Sequence, residues 1–180
     1  MRMNHRVSCG VFLSFIWVSV QAYDGTIDFS GELFAQTCTV SVDGQVTPAV
    51  ATVTLPGVST SALDTTGRVT GRTSFNIQLT GCSGPALSAI SFFEAGPGVD
   101  TQTGHVRNLS GTAANVNMQL LDAANDRTIR AGRSRQLTET TLNTINSGSA
   151  NMAYAVQYIA SGVATPGTVN GSVTYSIDYR

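Results

Sequence analysis

Apolar and polar residues alternate one by one in short runs along this chain, and this period of two constrains the fold more than any other feature. Residues two positions apart lie on the same face of a β-strand, so each run predicts a strand with one buried face. Short Gly-, Pro- and Asn-rich segments separate the runs and predict turns. The four clearest runs are residues 27–33, 75–79, 116–120 and 173–179.

Several further segments are weaker strand candidates, because they are apolar but less regular. They are residues 39–42, 50–55, 89–93, 128–129 and 152–159. No long stretch keeps an apolar repeat of 3.6 residues, so helix is expected to be limited to one or two turns. Short strands with frequent turns predict an all-β antiparallel sandwich.

The composition agrees with one small β domain and excludes several other classes. The chain has 180 residues, of which 42% are hydrophobic and only 12% are charged, so it is too apolar for a disordered chain. It contains no Lys, and its formal net charge is −1. Such a chain offers no basic surface for nucleic acid or anionic lipid, and we expect no nucleic-acid partner.

The first 22 residues have the layout of a secretory signal peptide. Arg2 and Arg6 give a basic start, residues 7–20 are mostly apolar, and Val20 and Ala22 are small residues placed before a cleavage site. A membrane anchor is the alternative, but this apolar run is shorter than the roughly 20 residues that a spanning helix needs. Cleavage after Ala22 would leave no other apolar run of membrane length, so no membrane span is expected after processing.

Removal of the signal would leave Cys38 and Cys82 as the remaining pair of cysteines. Two cysteines in an exported chain favour one disulfide, because the compartment is oxidising. A metal site or a reactive thiol is the rival interpretation. A metal would need more ligands than these two cysteines and His105, the one histidine left, readily provide.

Both ends of the processed chain carry strongly alternating runs. Chain ends usually fray unless they are held, so each end is expected to pair with something. They could pair with each other or with the body of one sandwich, and periodicity alone does not reject that simpler arrangement.

A set of segments, in this order, resembles the subunits of type 1 fimbriae. The resemblance covers the processed chain, and it includes the spacing of Cys38 from Gly31. Tyr179 in the penultimate position and Gly167, fourteenth from the end, are also positions that mark this family. The matching segments are residues 25–33 (GTIDFSGEL), 75–79 (FNIQL), 115–122 (NVNMQLLD), 139–143 (ETTLN) and 158–167 (YIASGVATPG).

The resemblance implies a pilin of the chaperone–usher pathway. Its fold would be an incomplete immunoglobulin-like β-sandwich that lacks its final strand and carries an N-terminal donor-strand extension. It implies three regions: the signal peptide (1–22), the extension (23–34) and the pilin domain (35–180). A periplasmic chaperone would lend a strand to the groove, and the extension of a neighbouring subunit would replace it at the outer-membrane usher. The subunit would thus be exported through the periplasm to a fimbrium on the cell surface.

The same resemblance assigns site residues at both ends. The donor strand would use Ile27, Phe29, Gly31 and Leu33, with Gly31 at a point where the groove leaves no room for a side chain. The C-terminal strand would flank the groove and bind the chaperone, and its residues would be Val173, Tyr175, Ile177, Tyr179 and Arg180. A charged last residue departs from the family, as does the short extension, which leaves the position in the fibre open.

Motifs for catalysis or cofactor binding do not occur in the sequence. There is no Gly-x-Ser-x-Gly elbow, no phosphate loop and no His-Glu-x-x-His pattern, so we expect no enzyme, no metal and no cofactor. His105 lies in a polar stretch and is expected to be an exposed loop residue. The arginines between Arg127 and Arg135 form either an inter-subunit contact or a charged surface strand.

We therefore expect a structural fimbrial subunit that supports bacterial adhesion. A minor tip or adaptor subunit is the alternative within that class. From a different class, the alternative is a self-contained secreted sandwich that binds carbohydrate. The absence of Trp after processing weighs against it, because aromatic rings stack on sugars.

Overall fold

The computed structural model of the chain describes residues 27–31, 35–48 and 50–180. The predicted signal peptide and Leu33 lie outside these residues. The chain divides into two units, Met1–Glu32 and Leu33–Arg180. Residues 27–31 are the described part of the first unit, and they contain no helix or strand.

Nearly all of the regular secondary structure in the described part of the second unit is β-strand. Its helices are one turn of 3₁₀-helix at Thr60–Leu63 and one short α-helix, α1. The elements are β1 (Thr37–Val42), β2 (Gln45–Val46), β3 (Val69–Ser83), β4 (Ser88–Phe93), β5 (Val106–Arg107), β6 (Val116–Asp122), β7 (Thr128–Ile129), α1 (Gln136–Glu139), β8 (Asn143–Thr144), β9 (Ala150–Ala160) and β10 (Tyr175–Tyr179).

The strands form two antiparallel sheets with one core between them. The larger sheet has the order β2-β1-β3-β9-β6-β5, with β7 paired to β6, and the smaller sheet has the order β10-β4-β8. Both sheets contribute to the same buried cluster, for example Ile77 and Leu120 from the larger sheet and Phe93 from the smaller one. The domain is thus the predicted all-β sandwich.

The centre of the larger sheet supplies many of the buried apolar side chains. Strands β3 and β9 pair with Phe75 opposite Tyr154 and Ile77 opposite Met152. Ile77 is 1% exposed and Met152 is fully buried. Each such side chain stabilises the fold by about 1.5–3 kcal/mol through burial. The ring of Phe93 from the smaller sheet meets Tyr154 edge to face at 5.1 Å, which joins the two sheets.

The sequence predicted the central strands well, but two segments that it predicted as strands form none in the described chain: residues 50–55 and the described residues 27–31 of the run 27–33. The alternating runs 75–79 and 116–120 lie within β3 and β6, as expected. The C-terminal run begins its ladder at Tyr175, two residues later than expected. Residues 50–55, expected to be a strand, have no ladder partner in the described chain. Their alternation reflects burial against the core, which an extended segment achieves without pairing.

A disulfide joins Cys38 to Cys82, as the sequence predicted. It links β1 to β3 within the larger sheet, next to a shift in the register between Thr37 and Thr39. In the described residues, neither helix is long and apolar enough to cross a membrane.

His105 is not the exposed loop residue that the sequence suggested. It is half-buried beside β5, and its Nε2 lies 3.4 Å from Nε2 of Gln119 on β6. Burial is the main cause that lowers the pKa of His105 below its ordinary value of 6.5, because desolvation disfavours the imidazolium. The neighbouring Asp100 opposes this shift, and the neighbouring Arg130 adds to it.

Removal of the disulfide should lower the stability of the domain. The bond closes a loop with a sequence separation of 44 residues, and the chain-entropy model assigns such a loop roughly 4 kcal/mol. Cys38→Ser with Cys82→Ser should lower the unfolding free energy by up to that amount in urea titrations followed by circular dichroism. Reducing the native protein should give the same shift. Equal stability of the variant and the oxidised native protein would contradict this expectation.

The half-buried imidazole of His105 should make the stability of the domain depend on pH. Below pH 6.5 the unfolded chain takes up a proton at this position and the folded chain resists it. Stability should therefore fall as the pH drops through 6.5 and level off below the folded pKa. His105→Gln should remove this step and keep the acid unfolding that carboxylates cause at lower pH. An unchanged slope near pH 6 in the variant would show that another group titrates there.

Candidate functional site

Strand β10 is hydrogen-bonded to the sandwich along one edge. Arg180 N donates to Ser88 O at 2.9 Å, and Ser88 N donates back to Arg180 O at 2.9 Å. At the other end, Glu94 N donates to Thr174 O at 2.8 Å. Hydrogen-bonded and non-hydrogen-bonded pairs alternate in an antiparallel ladder. The backbone N–H and C=O groups of the even-numbered residues of β10 therefore point toward β4.

The other edge of β10 is open within the described residues. The odd-numbered residues Tyr175, Ile177 and Tyr179 stand opposite β4 in non-hydrogen-bonded pairs. Their N–H and C=O groups therefore point away from β4. No other described strand pairs with β10. The chain presents a row of unpaired backbone groups that one more strand could use.

The core beneath this open edge is incompletely covered. The side chains of Val173, Tyr175, Ile177 and Tyr179 pack against the central cluster, yet all four residues are only partly buried. Burial raises the pKa of the Tyr175 and Tyr179 phenols, because desolvation disfavours the phenolate. The hydroxyl of Tyr175 is buried without a hydrogen-bond partner in the described part of the chain. The central strands contain fully buried residues, whereas β10 contains none.

A second unpaired segment packs on the same core. Ala51, Val53 and Leu55 are partly buried against the central cluster, whereas Thr52 and Thr54 between them are exposed. No backbone hydrogen bond of residues 50–58 is formed within the described chain. Sequence analysis missed this feature, because a segment with alternating burial has the same pattern whether or not its backbone is paired.

Each of these two segments has unpaired backbone groups that could accept an added β-strand. An open edge offers backbone hydrogen bonds, and a partly covered core offers sites for apolar side chains at every second position. The described residues contain no cluster of three or more metal-ligating side chains.

The described part of the predicted donor strand is exposed. Ile27 is 78% exposed, and Phe29 is 91% exposed. A side chain at Gly31 would meet nothing within 4 Å. Leu33, the fourth predicted donor residue, lies outside the described residues. Large apolar side chains with this exposure are available to another protein surface.

Gly167 lies where the chain passes close to another loop. A Cβ at this position would lie 2.6 Å from Oγ1 of Thr112 and against the backbone N–H of Ala113. Real Cβ contacts are longer, so only glycine fits without a shift of the neighbouring loop. This close approach gives a physical reason for a glycine at the position that the family resemblance marks.

The arginines between Arg127 and Arg135 are largely tied to their own domain. Arg130 donates to two carbonyl oxygens of loop 101–103, and Arg133 donates to a third. Arg135 forms an ion pair at 2.7 Å with Glu139, which lies one turn further along α1. Of the two interpretations that the sequence left open, a charged surface strand is limited to β7 in this described stretch, and an inter-subunit contact stays a hypothesis.

The segment that carries Gly132 and α1 covers part of the edge of β4 that faces away from β10, and β8 pairs with another part of that edge. Gly132 N donates to Phe93 O at 2.8 Å, and the side chain of Gln136 bonds both backbone groups of Phe93 at 2.8 and 3.0 Å. One edge of the smaller sheet is thus closed by the chain itself, and the β10 edge is not.

Comparison with known proteins identifies the family of this chain. The family model described as "FimA: Type-1 fimbrial protein, A" matches residues 55–180. The "F17 fimbrial protein" of Escherichia coli is 37% identical over 164 residues, which cover 88% of this chain and 89% of the relative. The "Major fimbrial subunit SMF-1" of Stenotrophomonas maltophilia (strain K279a) is 40% identical over 169 residues, which cover 91% of this chain and 96% of the relative.

Solved structures share the fold. The P pilus rod subunit PapA superimposes with a TM-score of 0.60 at 18% identity and covers 79% of this chain and 99% of its own. A subunit of a chaperone–usher pilus, solved to explain rod uncoiling, superimposes with a TM-score of 0.58 at 17% identity and covers 90% of this chain and 99% of its own. The sandwich described above is therefore a pilin fold, and the chain belongs to the type-1 fimbrial protein family.

Proposed function

We propose that this chain is a structural subunit of a type 1-like fimbria and that it polymerises by donor-strand exchange. The single observation that carries the proposal is the open edge of β10 above a partly covered core. The family consists of structural fimbrial subunits and not of enzymes, and we assign no catalytic role to the chain.

The acceptor side of the exchange is the groove along β10. The outward N–H and C=O groups of Tyr175, Ile177 and Tyr179 would pair with the incoming backbone, and each hydrogen bond would contribute about 0.5–1.5 kcal/mol. We place the incoming strand between β10 and residues 50–58, because both segments pack on one core and both lack a ladder partner on one side. Apolar side chains of the incoming strand would then cover the exposed parts of that core.

The donor side is the extension at residues 23–34. Ile27 and Phe29 alternate with polar residues and are 78% and 91% exposed, so insertion into a groove would bury both. Each would contribute about 1.5–3 kcal/mol if fully desolvated, before the cost of ordering the segment. Leu33 would continue the same apolar face, and Gly31 would fit a point of close backbone approach. Asp28 on the opposite face would stay in solvent and discourage insertion in the wrong register.

The remaining partners follow from this mechanism. A periplasmic chaperone would occupy the groove first, because an open edge above an apolar groove would otherwise aggregate. Basic chaperone residues would hold the terminal carboxylate, next to which Arg180 already pairs with Asp178 at 2.9 Å. The outer-membrane usher would then exchange the chaperone strand for the extension of the next subunit. The signal peptide at residues 1–22 would direct the chain into this pathway.

The relatives support a repeated shaft subunit over a minor tip subunit. One of them is named a major fimbrial subunit, and its similarity extends over most of both chains. A self-contained sandwich that binds carbohydrate is not favoured by any of the relatives described above.

Deletion of residues 23–33 from the processed chain should separate donation from acceptance. The shortened subunit should still bind a chaperone and still accept a donor strand, because β10 is intact. It should not be able to donate, so it should terminate fibres. Electron microscopy and mass analysis of fibres assembled from mixtures of native and shortened subunits would measure this effect. Normal fibre length with the shortened subunit alone would contradict the proposal.

A matched pair of substitutions controls for general effects on the extension. Phe29→Asp places a charge on the apolar face and should slow donor-strand exchange at least tenfold, because a buried unpaired carboxylate is costly. Asp28→Asn changes the opposite face and should leave the rate within about twofold. Equal effects of the two substitutions would show that the alternating face of the extension does not matter.

A further inference from the structure

The segment that leads into β10 follows a fixed course without forming a strand. Residues 168–170 run beside the loop at residues 108–113. Leu109 N donates to Asn170 O at 3.0 Å, and Ala113 N donates to Thr168 O at 3.0 Å. These bonds join the connection before β10 to the turn between β5 and β6.

The side chain of Asn108 is the centre of this junction. Its Nδ2 donates to Ala113 O at 2.8 Å and to Thr168 O at 3.3 Å. Its Oδ1 accepts from Gly111 N at 3.0 Å and from Asn170 N at 2.8 Å. An amide has two donors and one oxygen with two lone pairs, so Asn108 uses its full capacity.

The backbones at this junction approach too closely for a side chain at Gly111. A Cβ at Gly111 would lie 2.7 Å from the carbonyl carbon of Thr168. The hydroxyls of Thr112 and Thr168 add reciprocal bonds, with Thr112 N to Thr168 Oγ1 at 3.1 Å and Thr168 N to Thr112 Oγ1 at 3.0 Å. The position of residues 168–170 is therefore set by hydrogen bonds and by packing together.

This junction lies only a few residues ahead of the open edge. The ladder of β10 with β4 begins where Glu94 N donates to Thr174 O, shortly after Asn170. At its far end, β10 is held by the paired backbones of Arg180 and Ser88. We propose that Asn108 is a positioning residue that fixes the entry of β10, so that the open edge is presented in register for an incoming strand. The binding of an incoming strand at this edge rests on the proposed function, whereas the effect of Asn108 on β10 does not.

Asn170 provides a matched control. Both asparagines stand in an Asn-x-Ser sequence, and both are part of the same junction. Asn170 takes part through its backbone, whereas its exposed side chain forms no hydrogen bond within the described residues. Asn108→Asp and Asn170→Asp thus introduce the same charge and nearly the same shape, and only the first removes donors that the junction uses.

The test is hydrogen exchange of individual backbone amides in the processed chain, with and without a synthetic peptide of residues 23–34. At pH 7, Asn108→Asp should speed exchange at residues 168–179 about tenfold or more, because the carboxylate would face two carbonyl oxygens without a donor. Amides of β3 and β9 should stay within about twofold of the native chain. Asn170→Asp should stay within twofold throughout.

Protonation of the introduced carboxyl gives a second readout that a general loss of stability would not produce. At a pH below the pKa of this carboxyl, the protonated group regains a donor. The protection factors of the variant should then move closer to those of the native chain. Asn108→Ala cannot be rescued in this way and serves as the second variant if Asn108→Asp does not fold. The dissociation rate of the peptide should rise with the local exchange at β10.

Uniform faster exchange in all strands, or native exchange at residues 168–179 in both Asn108 variants, would overturn the role of Asn108. Peptide binding by the native chain is a separate measurement, and it tests the proposed function. Failure of the native chain to bind the peptide would contradict the proposed function, whereas the exchange at β10 would still report on Asn108.

Discussion

The backbone groups along the free edge of β10 are the constraint on which the rest of the structure depends. An antiparallel strand satisfies half of its N–H and C=O groups on each side, and β10 has a described neighbour on one side only. Natural proteins rarely leave such an edge uncovered above an apolar core. In this chain, the exposed and unpaired features at both ends of the domain are explained by one missing strand.

Several other parts of the domain are held together by its own residues. The larger sheet is held centrally by β3 and β9 and linked by the Cys38–Cys82 disulfide. The far edge of β4 is covered by the loop that carries α1, through bonds to Phe93. The connection before β10 is bonded through Asn108. These bonds hold β4 and the connection before β10 in place, which would favour binding of an incoming strand because less ordering remains to be done when it enters.

The sequence predicted the parts of the fold that depend on alternation and composition. The strands at 75–79 and 116–120 were predicted because one face is buried throughout, and the disulfide was predicted because the two cysteines remain after the expected cleavage. The unpaired state of residues 50–58 could not be predicted, since burial and not pairing produces the pattern of Ala51, Val53 and Leu55. The half-buried state of His105 was also missed, because contacts with Gln119 come from a strand that is distant in sequence.

The groove itself entered the sequence analysis through the family resemblance and not through the residues alone. Periodicity at the two ends is equally compatible with a sandwich that pairs its own ends. The roles of Gly167 and Asn108 depend on close approaches between residues about 55 to 60 positions apart, which no local pattern reveals. The geometry of β10 adds the physical reason why a strand from another chain would bind there.

The most direct test of the central claim is the stability of the processed chain as a function of added donor peptide. If the sandwich lacks a strand, the unfolding free energy should rise with the concentration of a peptide of residues 23–34 as mass action requires. The chain without peptide should be only marginally stable or self-associated. A stable monomer whose unfolding midpoint does not depend on the peptide would contradict the account.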